Sequence, residues 1–220
     1  MPRDTCGQTA SPTVVLRKNS GMPSSHSADF ALTAWVDESI VVGRDKTAGT
    51  YTMAAAIADP AASQAIGERL RAITVGRAGR LHWANEPTKR RDLITTLIAS
   101  IDLAAVVVVG APMLGSKQER ARRCCLERLL QELADFGVGD VLMESRSPVP
   151  DRRDIRLVDS ARAKGLIPGS LVMRFARPLD NPMLWIPDAI AGAVTAATLG
   201  EPRWMLALDE ILTRHDIVVR

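Results

Sequence analysis

Asp37, Glu38, Glu144 and Asp188 are the side chains of this 220-residue chain best set to do chemistry. Asp37-Glu38-Ser39 closes the apolar run Leu32-Thr33-Ala34-Trp35-Val36, Glu144 closes Val138 to Met143, and Asp188 lies near the start of an otherwise apolar helical stretch. Carboxylates gathered at element ends are hard oxygen donors suited to magnesium or manganese, ions that keep water and phosphate in their other positions. Two such ions activate water and stabilise the leaving oxygen in phosphodiester cleavage. Asp188 has Ala191 and Gly192 three and four positions on, a small-residue face that allows close approach to a sheet, and a carboxylate there is costly unless a cation or donors meet it. Each acid also has a structural reading. Asp37 and Glu38 could open a loop, Glu144 could pair with Arg146 or Arg152, and Asp188 could favour a helix N-terminus.

Side chains alternate along a strand, so Leu32, Ala34 and Val36 share one face while Thr33, Trp35 and Asp37 share the other. Asp37 and Glu38 therefore point apart, with Asp37 aimed into a site and Glu38 assisting from its rim. His82, between Leu81 and Trp83, could act as a base or contact phosphate, or be a partly buried strand residue with one hydrogen bond. Lys89, Arg90 and Arg91 open a helix, where cations oppose the dipole and need another reason to be present. Arg120, Arg122, Arg123 and Arg128 decorate a later helix away from its core stripe, and Arg146, Arg152, Arg153 and Arg156 follow Glu144. From these, Lys89, Arg90, Arg120, Arg123, Arg146 and Arg153 are the candidate nucleic-acid contacts, gripping backbone phosphate without reading bases. The acids interspersed with them allow the alternative of a solvated, ion-paired face.

The elements that must position these residues follow from periodicity. Residues 1 to 28, rich in Ser, Thr, Pro and Gly, are expected to be a disordered tail, with one α/β domain over 29 to 220. A first strand ends at Asp37, and a turn through 41 to 46 leads to a second at Thr50 to Ala58, making a hairpin. Helices are expected over 61 to 73 and from an Asn85 cap to Ile101, the latter burying Leu93, Ile94, Leu97, Ile98 and Ile101, with a short strand at 80 to 83 between them. Ala104 to Val109 reads as a strand covered on both faces. Ser116-Lys117-Gln118-Glu119 spells a capping box, opening a helix that turns Ala121, Cys125, Leu129, Leu133 and Phe136 inward and stops at Gly137. Strands at 138 to 143 and 171 to 176, and helices at 151 to 164, 181 to 199 and 203 to 213, complete a mixed sheet flanked by helices.

Composition narrows the partners. Aromatic residues are 4% of the chain, too few for a base-stacking platform, and a net charge of +3 permits a nucleic-acid partner without demanding one. Cys6, Cys124 and Cys125 form no disulfide scaffold, and the three histidines are scattered rather than spaced for metal. No stretch approaches the ~20 apolar residues of a membrane span and no signal core opens the chain, so the cytoplasm is the expected compartment. Self-association is left open.

Asp37-Glu38-Ser39 after a strand, Leu81-His82-Trp83 before a helix, Glu144-Ser145-Arg146 at a strand end, and Pro182-Met183-Leu184-Trp185-Ile186-Pro187-Asp188-Ala189-Ile190-Ala191-Gly192-Ala193 together resemble the uncharacterised bacterial domain-of-unknown-function family 3800. The resemblance spans roughly residues 32 to 199 and implies a ribonuclease-H-like fold, whose members are mostly nucleases, resolvases and transposases using clustered acids and magnesium. It implies Asp37, Glu144 and Asp188 as metal ligands, with Glu38 a fourth. Pro187 departs from the alanine usual before that aspartate, and the strand ending at Gly110 lacks the acid that such folds carry beside the first. Two functions are therefore expected: a magnesium- or manganese-dependent nuclease or phosphodiesterase, or a non-catalytic module that binds nucleic acid or a protein.

Overall fold

The computed structural model describes residues 32–43, 49–74 and 79–219. The expected tail at 1 to 28, part of the turn at 41 to 46, and Cys6 and His26 lie outside the described residues. Six strands form one sheet: β1 (Leu32–Val41), β2 (Gly49–Ala58), β3 (Ala104–Met113), β4 (Val138–Glu144), β5 (Val172–Ala176) and β6 (Leu212–Val218). Their order is β5-β4-β1-β2-β3-β6. β2 runs antiparallel to both β1 and β3, while β4 is parallel to β1, β5 to β4, and β6 to β3. This is a single mixed α/β domain, a six-stranded sheet flanked by helices on both faces.

Helices α1 (Ser63–Ala72), α2 (Thr88–Ala99), α5 (Trp185–Thr198) and the short α6 (Arg203–Leu206) cover one face. The core there interleaves Trp35, Ala54, Val107 and Val109 with Ile94, Ile98, Leu184 and Ile190. Helices α3 (Gln118–Asp135) and α4 (Pro148–Ala163) cover the other, over Val36, Met53, Val106, Val108 and Val141. The unbroken apolar run of β3 follows from burial on both faces. Among the described residues no helix is long and apolar enough to cross a membrane.

Several expectations need correction. β1 does not end at Asp37, because its ladder with β2 continues to the pair Val41↔Thr50. Leu81-His82-Trp83 is not a strand: Trp83–Asn85 is a 3-10 turn, and the Trp83 N–H goes to a carboxylate instead of a ladder. Asn85 lies in that turn, and α2 begins only at Thr88, after Pro87. The Ser116 capping box is absent. Gly115–Lys117 is a 3-10 turn closed by Lys117 N–H to Leu114 O, and it feeds into α3 with no side-chain cap. Leu93 and Phe136 are exposed, each lying at the margin of its helix's apolar stripe. The helix expected over 203 to 213 stops after four residues, and Leu212–Val218 is an edge strand that carries the continuous polar run Thr213 to Asp216. The αL terminator after α3 is present, with Gly137 at φ 85°.

Candidate functional site

The parallel ladder between β1 and β4 runs to the pair Val36↔Met143, and the next residue on each strand is an acid, Asp37 and Glu144. Adjacent positions of a parallel ladder share a face, which sets the two carboxylates side by side on the α5 side of the sheet. The strand beside β1 that carries the second acid is thus β4, while Asp37 is opposed on its β2 side by Ala54. Asp188 enters from the first turn of α5. Pro187 does not disturb it, since the missing N–H falls among first-turn donors that have no intrahelical partner. Asp37, Glu38, His82, Glu144, Arg146 and Asp188 all line one cavity of about 350 Å³.

Asp37 is 8% exposed. Burial, then the negative charges of Glu144 and Asp188, hold its carboxyl well above the usual carboxylate range, aided by a hydrogen bond with Glu144 and opposed by Arg122. Asp37 Oδ1 also accepts the Glu38 N–H at 2.7 Å. Asp188 Oδ2 accepts the Trp83 N–H at 2.7 Å and lies 3.4 Å from His82 Nδ1. That contact raises the His82 pKa above its ordinary value, against partial burial and Arg80. Trp83 is seated by Gly192, where an added Cβ would come within 2.1 Å of Trp83 Cδ1. Gly192 thus admits an indole, while α5 packs closely on β1 and β2, as its small residues led us to expect.

Glu38 turns to the opposite face and pairs with Arg122. Sequence reasoning set Arg122 on the outside of its helix, yet it is 1% exposed. It donates to both Asp154 oxygens, at 3.3 and 2.7 Å, and to the Tyr51 hydroxyl at 3.1 Å. A readable signal existed: Arg122 precedes Cys125, Leu126 and Leu129 by three, four and seven positions, the spacing of an inward stripe. Asp154 is 2% exposed and also meets Arg146 Nη2 at 3.4 Å.

The candidate nucleic-acid contacts divide. Arg146 alone lines the carboxylate cavity. Arg123 and Arg153 line a second groove, between α3 and α4, and Arg120 is exposed at the start of α3. Lys89 is exposed on α2, while Arg90 is occupied with Glu86 at 3.1 Å and the Ile73 carbonyl at 2.6 Å. Arg91 lies over the rings of Trp83 and Trp204, 5.0 and 5.2 Å from their centroids, which gives a helix-start cation its reason.

No protein-family model matches the chain, and no curated protein matches it. Among solved structures it resembles the ribonuclease HII of Archaeoglobus fulgidus, determined in complex with PCNA, at 15% identity and a TM-score of 0.42 over 81% of this chain and 77% of that one.

Proposed function

We propose that the chain is a divalent-metal-dependent phosphodiester hydrolase acting on nucleic acid, with Asp37, Glu144 and Asp188 as the metal ligands. The observation that carries this reading is three carboxylates from three separate elements around one cavity, with Asp37 destabilised as an anion by burial first and by the other two second. Oxygen donors whose mutual repulsion Arg122 opposes only in part fit a hard divalent ion. Magnesium or manganese bound there would activate water and stabilise the leaving oxygen. The chain's own residues do the rest: Trp83 N–H fixes one Asp188 oxygen, His82 contacts phosphate from the cavity wall, and Arg146 offers a fork for a second phosphate oxygen. Glu38, tied to Arg122, acts from the rim.

The non-catalytic module keeps support from one finding. Among the described residues no three acids, histidines or cysteines stand in ligand geometry, and Asp188 already has partners in Trp83 and His82. The two readings separate in a cleavage assay on single- and double-stranded DNA and RNA, with and without manganese, beside Asp37→Asn. Manganese-dependent cleavage by the parent, abolished in the variant, supports the hydrolase. No cleavage of any substrate leaves the binding module.

A further inference from the structure

We propose that the groove between α3 and α4 binds a single-stranded segment of nucleic acid flanking the phosphate at the carboxylate cavity. The assignment rests on the hydrolase reading and names the path of its substrate. The groove encloses about 410 Å³, and Arg123, Arg153, Arg156 and Lys164 line it together with Glu119 and Glu127. Lys164 pairs with Glu127 at 3.7 Å, and Asp154 in the groove wall is met by the buried Arg122. Arg123, Arg153 and Arg156 form no ion pair among the described residues, so three guanidinium groups face a concavity whose acids are largely matched.

The groove joins the carboxylate cavity through one side chain. Arg146 lines the cavity, while its Nη1 lies 3.8 Å from Glu119 and its Nη2 3.4 Å from Asp154, both groove residues. This guanidinium stands where β4 leads into α4, so a polyanion leaving the acids at the end of β4 passes Arg146 and continues over the three arginines. Charges spread along two helices match repeated phosphates better than one small anion. A groove of small-ligand size takes a strand and not a duplex, and Leu157 gives it an apolar wall.

The test is fluorescence anisotropy with the full chain in EDTA, so that binding is read without cleavage. The probes are labelled single-stranded DNA and RNA of about 12 nucleotides and a dinucleotide, a range that brackets typical single-strand sites. In Arg153→Gln/Arg156→Gln, with melting unchanged, affinity for the longer probes should fall about tenfold and the salt slope by about 0.7 per lost phosphate contact, while the dinucleotide is little affected. Unchanged affinity, no oligonucleotide binding by the parent, or equally tight binding of a polyglutamate of the same charge would overturn the assignment. Metal-dependent cleavage by the parent with indifferent variants removes the groove alone. Oligonucleotide binding lost in the variants, without cleavage by the parent, removes the hydrolase reading and leaves the groove.

Discussion

Asp37 lies 8% exposed beside Glu144 and Asp188, and its carboxyl is held well above the usual range by burial first and their charges second. A group whose folded pKa exceeds its unfolded value, roughly 3.9 for Asp, binds more protons when folded. Its stabilising effect is full below the unfolded value and is lost as pH rises through the folded one. Metal-free Asp37→Asn should therefore lose less stability than the parent between pH 4 and pH 8, as urea midpoints across that range would measure. A steeper loss in the variant would mean the carboxylate is favourably met. Arg122 is the opposite case, a buried cation whose partners depend on it. Arg122→Met strands Asp154 and Glu38 and should cost about 3–5 kcal/mol in urea unfolding at neutral pH, the usual cost of breaking a buried pair. A cost below about 1 kcal/mol would show the network to be solvated.

At the scale of elements, α5 is positioned by what its glycine admits. A Cβ at Gly192 would meet Trp83 Cδ1 at 2.1 Å, and the Trp83 N–H is the donor that holds Asp188. Gly192→Ala should thus destabilise by about 1–3 kcal/mol, as overpacking does, and shift the near-UV circular dichroism of Trp83. A wild-type spectrum with unchanged stability would show that the indole has room. The long elements were legible because their periodicity is strong: β2, β3, α3 and α5 lie close to where alternation and 3.6-residue spacing put them. The misses have specific causes. Leu81-His82-Trp83 looks like a strand, but tertiary contact diverts its donor to Asp188. Leu212–Val218 carries Arg214, His215 and Asp216 and shows no strand alternation, since as an edge strand it needs only one neighbour, β3. The face separation of Asp37 and Glu38 was readable from β1 alone, whereas the adjacency of Asp37 and Glu144 depends on the parallel pairing of β1 with β4.

Across the whole molecule, charge is distributed by face. Acids collect where β1, β4 and α5 meet, and arginines that make no ion pair among the described residues collect between α3 and α4, with Arg146 at the junction. That division, more than the net charge of +3, is what fits a phosphate backbone held beside a metal-loaded cavity. The measurement that tests the central claim most directly is the thermal melting of the parent and Asp188→Asn, each in EDTA and in millimolar magnesium or manganese. A ligand that binds only the folded state raises the melting temperature with its concentration. The account predicts a metal-dependent rise in the parent, none in Asp188→Asn, and a metal-free melting temperature in the variant equal to or above that of the parent. A destabilised variant beside a parent indifferent to both ions would contradict it.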